Sequence, residues 1–468
     1  MEPDLDRLLD FESGGGLFPQ FETSWKNEFA AAAEWVDRSL GGAVTRPRIA
    51  LKLVDPQAFS ALFLAFCRHE VDLYLFNPTW GRGELDTAMR IARPHALIGE
   101  FRSGSFASEP VPMGVPGGER IEMGANKLRV MIPTGGTTGR IRFAIHDWSS
   151  LAAATYGFQQ HMNCAGMAAH CVLPLYHVSG FMQLVRALLT VGKIAFGRLE
   201  SFEETHRCLL SVPHGNRFLS LVSTQLERVM RDEAKRDLLR SYSAIFVGGG
   251  PAPVGLLEDC REKGIPLAPT YGMTETAAQV ATLLPSQFLK GELSQGKPLP
   301  HARIDIVAEE SPSERVAPGE IGRIRIGGGS LFRGYAGEDP SKREPAIVTS
   351  DLGRFDQQGN LTVLGRIDRV IISGGEKVNL RQIELAVEGT DLVRDAVAFG
   401  MDDVEWGQKL ALAYVPKAAF VTEKAIRESL MKELASFKIP KVWIRLERIP
   451  RNEAGKPILA DLQSSAAS

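Results

Sequence analysis

Between Ser243 and Thr276 the chain spells out a strand, a turn, a helix and a second strand, and few folds accept that order. Ser243-Ala244-Ile245-Phe246-Val247 is an apolar run of strand length, and it passes through Gly248-Gly249-Gly250-Pro251-Ala252-Pro253 into a helix-like stretch from Val254 to Lys263. Gly264 closes that helix. A second run, Ile265-Pro266-Leu267-Ala268-Pro269-Thr270, carries Tyr271-Gly272-Met273-Thr274-Glu275-Thr276 at its exit. Strands joined through a helix pair in parallel by a right-handed crossover, so both exits lie on one rim of a sheet. Strand-like and helix-like runs alternate over most of the chain, which makes the fold class α/β.

The texture changes after about residue 300. Ala302 to Val307, Glu320 to Ile326 and Leu361 to Leu364 are short alternating runs separated by Gly, Pro and Asp, as in a small β region. Beyond Ile367 the chain has helices of its own, Leu380 to Val387 and Glu423 to Leu434, with Asn379 and Thr422 as caps. A domain boundary therefore falls near Gly365-Arg366-Ile367-Asp368. A length of 468 residues allows about three domains, or one large domain with a smaller one.

Composition removes several classes of function. Apolar residues at 44% and charged residues at 24% lie in the soluble globular range. A formal charge of −2 gives no electrostatic reason to expect nucleic acid or an anionic membrane as partner. Cys67, Cys164, Cys171, Cys208 and Cys260 form no closely spaced pair and read as buried thiols of a reducing compartment. The acidic start Met1-Glu2-Pro3-Asp4 has no signal-like apolar core, and no uncharged apolar run approaches the ~20 residues of a membrane span. The expected location is cytoplasmic.

The chemistry begins at Pro133-Thr134-Gly135-Gly136-Thr137-Thr138-Gly139-Arg140, which follows the strand-like run Leu128 to Ile132. Glycines let backbone N–H groups approach an anion closely, and threonine hydroxyls add donors beside them. The Gly-Lys-Ser/Thr ending of a Walker loop is absent, which argues against an ordinary P-loop NTPase. A flexible surface hairpin is the plain alternative. Glu275 offers a hard carboxylate oxygen suited to Mg²⁺, or alone a charge at a helix N-terminus. Asp351 in Ser350-Asp351 accepts hydrogen bonds only, as a sugar ligand or a turn residue would. Lys456 in Asn452-Glu453-Ala454-Gly455-Lys456 is in isolation a solvated loop lysine.

In series these segments resemble the adenylate-forming superfamily of acyl-CoA synthetases, peptide-synthetase adenylation domains and luciferases, over roughly Leu51 to Leu459. The resemblance implies a large N-terminal domain over 1–366, with layered α/β sheets and a small β region, and a smaller mobile α+β C-terminal domain over 367–468 hinged near Asp368. It implies ATP held by Thr134, Gly135, Gly136, Thr137, Thr138 and Gly139 at its phosphates. Gly249, Gly250, Pro251 and Tyr271 would surround the base, Thr274 would also contact ATP, Asp351 and Arg366 would hold the ribose, and Glu275 would hold Mg²⁺. Lys456 would be the catalytic residue, and Gly374 and Gly375 would line the path of coenzyme A. The superfamily loop continues Gly-x-Pro-Lys-Gly, whereas here Gly139-Arg140-Ile141-Arg142-Phe143 puts Arg142 in place of the lysine.

A narrower resemblance concerns the acid. Leu173-Pro174-Leu175-Tyr176-His177-Val178-Ser179-Gly180, Ser220 to Leu226 and Met273 to Gln279 are similar to segments of o-succinylbenzoate–CoA ligases. This implies an acyl site with His177, Arg186, Ser220, Gly272 and Thr274. On a helix starting near Phe181, Gln183, Arg186 and Ala187 share a face. An arginine there gives a dicarboxylic acid a planar partner for its unreacting carboxylate. An exposed helix arginine is the alternative, and His177 is as readily a structural histidine. The function implied is an acid–thiol ligase forming the thioester of o-succinylbenzoate for menaquinone or phylloquinone synthesis. The alternatives are an aryl- or fatty-acyl-CoA ligase, an adenylation enzyme loading a separate carrier protein, or a non-catalytic nucleotide-binding regulator. A homodimer is compatible with all of them.

Overall fold

Short runs in residues 48–147, fully buried over Val71–Leu75, give a first sheet, with strands β1 (Arg48–Leu51), β2 (Val71–Leu75), β3 (Ala96–Arg102), β4 (Ser105–Pro110), β5 (Leu128–Gly135) and β6 (Ile141–Asp147). Their spatial order is β4-β3-β1-β2-β5-β6. β1, β2, β3 and β5 run parallel, while β4 and β6 fold back along β3 and β5. The description comes from a computed structural model, and it covers the chain except residues 1–16, 21–23, 41–45, 103–104, 111–127, 136–140, 340–343, 374–375, 404–405, 452–456 and 468.

Three helices belong to this part: α1 (Ser24–Leu40), α2 (Pro56–Phe66) and α3 (Arg82–Ala92). Asp55 caps α2 by accepting the amides of Gln57 and Ala58, and Pro56 occupies the first position, where its missing N–H is harmless. Every residue from Ala58 to Phe66 is buried, as expected of a helix apolar all round.

The second sheet follows α4 (Trp148–Met162) and holds β7 (Ala168–Cys171), β8 (Lys193–Phe196), β9 (Arg217–Val222), β10 (Ala244–Gly248), β11 (Leu267–Met273), β12 (Ala278–Thr282) and β13 (Lys297–Pro298), in the order β13-β12-β11-β10-β9-β7-β8. Its helices are α5 (Val178–Leu189), α6 (Phe202–Arg207), α7 (Ser223–Arg231), α8 (Glu233–Leu239), α9 (Val254–Glu262) and α10 (Pro285–Phe288). The β10–α9–β11 unit is the parallel crossover expected from the sequence. α2, α4 and α5 lie between the two sheets. One apolar cluster joins Leu51, Leu73 and Val130 of the first sheet, Phe63, Trp148 and Phe181 of those helices, and Phe218 and Phe246 of the second sheet.

A third, antiparallel sheet of β14 (Ala302–Val307), β15 (Gly322–Gly328), β16 (Ala346–Phe355) and β17 (Leu361–Arg366) packs Ile304, Ile306, Ile324 and Ile326 against Val280 and Ala281 of β12. The tail forms a fourth sheet from β18 (Val370–Ser373), β19 (Glu376–Asn379), β20 (Val393–Asp403), β21 (Gly407–Pro416) and β22 (Val442–Arg445), with α11 (Leu380–Glu388), α12 (Glu423–Glu433) and α13 (Leu459–Ala467). Asn379 caps α11 through the amides of Arg381 and Gln382, and Thr422 caps α12 through that of Ala425. The tail has its own apolar cluster around Ile383, Ala398, Leu410, Leu412 and Ile426. Of the five cysteines, all free, Cys208 is only part-buried, contrary to the uniform burial expected. No helix among the described residues is long and apolar enough to cross a membrane.

Candidate active site

The site grows from the rim where β10 and β11 end. After Gly248 the chain turns at Gly249, whose φ of 81° lies in the left-handed region that glycine adopts without strain. Gly250 and Pro251 follow, and α9 begins at Val254. One expectation needs correction here: Tyr271, Gly272 and Met273 do not lie beyond the strand but are its last residues, because β12 folds back and pairs with them. Gly272 sits at a register shift, where an added Cβ would stand 2.0 Å from the carbonyl oxygen of Ala278.

Tyr271 reaches from the second sheet to the third. Its hydroxyl donates to Asp351 Oδ2 at 2.6 Å, and Arg366 NH1 lies 3.8 Å from Asp351 Oδ1. Asp351 on β16 and Arg366 on β17 are cross-strand partners, so Asp351 is no turn residue. Burial and the neighbouring Asp351 carboxylate push the Tyr271 phenol well above its ordinary range, so it stays a donor.

Glu275 lies in a short 3₁₀ turn, Thr274–Thr276, and not at the N-terminus of an α-helix. The turn is held from several sides. Thr276 Oγ1 lies 3.0 Å from Met273 O and 2.7 Å from Ala278 O, and Ala277 and Ala278 take φ of 51° and 78°, unusual for residues with a Cβ. The carbonyl of Thr274 lies 2.8 Å from His146 Nε2, and that of Glu275 accepts the amide of Phe332 at 2.9 Å. Burial lowers the His146 pKa to about 4, so the ring is neutral and Nε2 carries the proton given to Thr274. The Tyr335 hydroxyl donates to Glu275 Oε1 at 2.6 Å, and the Arg142 guanidinium carbon lies 4.0 Å above the Tyr335 ring. Residues 333–336 run along β6: Arg333 N donates to Ile145 O, Ile145 N to Gly334 O and Ala336 N to Phe143 O. Arg333 is further pinned by a two-point ion pair with Asp147 at 2.6 and 2.9 Å. Tyr335, Arg333 and His146 drew no notice as sequence, since their contacts span separations of 60, 186 and 128 residues.

The Gly/Thr segment also differs from expectation. β5 continues through Thr134 and Gly135, which pair with Arg142 and Ile141 of β6, so both are strand residues at the base of a β-hairpin. Gly136, Thr137, Thr138 and Gly139 lie outside the described residues, as do Gly374, Gly375 and Lys456. Asp368 lies in a 3₁₀ turn, Ile367–Arg369, directly after β17.

The acyl-site candidates gather around α5. His177 is the residue before its first turn, its ring 4.7 Å from that of Tyr176, and the helix begins at Val178 rather than Phe181. Gly180 is required there, since a Cβ would lie 2.1 Å from the Pro174 carbonyl oxygen. Ser220 lies in β9 opposite Phe246. Arg186 is no exposed helix arginine; only 2% of its surface is accessible. NH1 donates to Gln279 Oε1 at 2.5 Å, and the guanidinium carbon lies 4.2 Å above the Phe158 ring. Nε and NH2 are buried without a hydrogen-bond partner, and so are Gln183 Oε1 and His301 Nδ1. Burial pulls the Arg186 pKa down to about 9, while burial and then Arg186 itself bring His301 to about 4. His301 Nε2 lies 3.1 Å from Gln279 O, and Gly157 on α4 makes room for the ring. Gln279 stood in a run already singled out, with no task given to it. His301 carried no signal.

Comparison with known proteins finds two family models in this chain: AMP-binding enzyme over residues 48–336 and AMP-binding enzyme C-terminal domain over 382–456. A 2-succinylbenzoate–CoA ligase of Bacillus licheniformis is 34% identical over 334 residues, covering 69% of this chain and 67% of that protein. The structure of o-succinylbenzoate coenzyme A synthetase (MenE) from Bacillus subtilis in complex with AMP is 25% identical, with a TM-score of 0.73 over 93% of this chain and 92% of that one. A structure of MenE from Bacillus subtilis with the acyl-adenylate intermediate OSB-AMP gives a TM-score of 0.78 at 23% identity, covering 99% of this chain and 98% of that one.

Proposed function

The chain belongs to the AMP-binding enzyme family, and from that premise we propose that it is an AMP-forming acid–thiol ligase whose acid is o-succinylbenzoate. The observation that carries the choice of acid is Arg186, a guanidinium buried between α4 and β12 with two nitrogens unbonded. A charge so placed is costly unless an anion meets it. The second carboxylate of a keto-diacid offers two oxygens in the plane of the fork. A fatty or simple aromatic acid leaves the charge uncompensated. The 2-succinylbenzoate–CoA ligase named above supports this reading.

The acid and ATP meet at the rim of the second sheet. Tyr271 gives its ring to adenine, with Thr274 beside it and Gly249, Gly250 and Pro251 opposite, and Asp351 and Arg366 take the ribose hydroxyls. Thr134 and the segment through Gly139 hold the phosphates. His177, Ser220 and Gly272 flank the acid. Glu275 would hold a metal ion: its Oε1 is fixed by the Tyr335 hydroxyl, and Mg²⁺ suits one such carboxylate with phosphate and water as further ligands. When bound it neutralises phosphate charge. The reacting carboxylate attacks the α-phosphorus and pyrophosphate leaves. The Lys456 ammonium meets the charge developing there, a contribution of about 10²–10³ in rate. The CoA thiol, passing Gly374 and Gly375, then attacks the acyl carbonyl and AMP leaves. The second step requires the tail, 367–468, to turn about Asp368 against the body, 1–366.

A coupled assay of CoA ligation across o-succinylbenzoate, benzoate, coumarate and a fatty acid tests the reading. The diacid is expected to lead by well over tenfold in kcat/KM. Arg186→Ala should lose about 100-fold with the diacid, about 2.7 kcal/mol, while the monoacids change little. A wild type that ranks the acids equally would refute the substrate.

A further inference from the structure

We infer that Tyr335 is a positioning residue that binds the Glu275 carboxylate and the Arg142 guanidinium into one unit at the phosphate end of the nucleotide. The inference rests on the functional reading above and assigns a task to a side chain that reading does not use. The phenol touches both charged groups through different chemistry. Its hydroxyl donates to Glu275 Oε1 at 2.6 Å, and its ring face lies under Arg142 at 4.0 Å. A phenol is protonated at neutral pH, and a carboxylate only accepts, so the hydroxyl is the donor. One carboxylate oxygen is thereby oriented and the other is left for a ligand.

The stack explains why an arginine works at position 142. A guanidinium lies flat on an aromatic ring with its N–H groups pointing outward at the edge, whereas an ammonium has no plane to fix. Arg142 is exposed, and it pairs across the hairpin with Thr134, at the base of the segment that would hold the phosphates. Tyr335 itself cannot drift: it bridges to Ala144 of β6, between the backbone bonds of Arg333 and Ala336. One strap thus sets the distance between an anionic and a cationic group.

Calorimetric binding on the full chain separates this role from a general structural one, with AMP and the magnesium complex of a β,γ-imido ATP analogue as probes. AMP lacks the β- and γ-phosphates, so it should not sense the unit. Tyr335→Phe, which keeps the ring and loses the hydroxyl, should weaken the analogue at least fivefold and raise the Mg²⁺ concentration for half-saturation at least threefold, with AMP within twofold. Tyr335→Leu should weaken the analogue at least twentyfold, and Arg142→Ala should then cost less in that background than in the wild type. Equal weakening of AMP and analogue, or no change in Tyr335→Phe, would overturn the role of Tyr335 alone. Failure of the wild type to bind either nucleotide would overturn the functional reading together with it.

Discussion

Tyr271 and Arg186 show how much a single side chain gains from neighbours far away in the chain. The Tyr271 hydroxyl holds Asp351 from across two sheets, and hydrogen bonds to a charged group contribute about 1.5–3 kcal/mol. Tyr271→Phe should therefore raise the KM for ATP between about 10- and 150-fold while kcat stays within threefold, and steady-state kinetics at saturating acid would measure it. An unchanged KM would mean that Asp351 is placed without this bond. Arg186 was visible in the sequence as a cation at helical spacing from Gln183, but its burial was not. Burial depends on β12 and Phe158 closing over it, and no local pattern encodes that. Tyr335 was invisible for the same reason: nothing near it in sequence refers to Glu275.

Elements were more legible where local rules govern them. Asn379 and Thr422 cap helices as their residue types predict, and the β10–α9–β11 crossover follows from apolar runs and glycine punctuation. β16 was missed, since Ala346–Phe355 mixes Thr, Ser, Asp and Arg into a strand whose place is set by partners on both sides. The strand beginning at Leu128 was cut short because Pro133 and the glycines after it suggest a loop, whereas pairing with β6 extends it through Gly135. At the start of α5, Gly180 lets the helix approach the Pro174 carbonyl. Gly180→Ala must displace that turn, and overpacking of this kind costs about 1–3 kcal/mol. Urea denaturation should show the loss, and the KM for the acid should rise because Arg186 rides on the same helix. A variant as stable as the wild type would show that the turn yields freely.

At the scale of the whole molecule, buried imidazoles tie stability to pH. Burial lowers the pKa of His170 to about 3, below the unfolded value of about 6.5. The folded protein then refuses a proton that the unfolded chain accepts. Stability from this residue is complete above about pH 6.5 and falls by about 1.4 kcal/mol per unit below it, or about 2 kcal/mol at pH 5. The difference in unfolding free energy between wild type and His170→Phe should shift by that amount from pH 7 to pH 5, and a difference independent of pH would contradict it. The central claim concerns the two-step reaction. Wild-type protein incubated with ATP, Mg²⁺ and o-succinylbenzoate, without CoA, and followed by ³¹P NMR and mass spectrometry, should release pyrophosphate and hold one equivalent of acyl-adenylate. Added CoA should convert that intermediate to thioester and AMP. Release of ADP and phosphate, or thioester formed with no adenylate ever detected, would contradict the account.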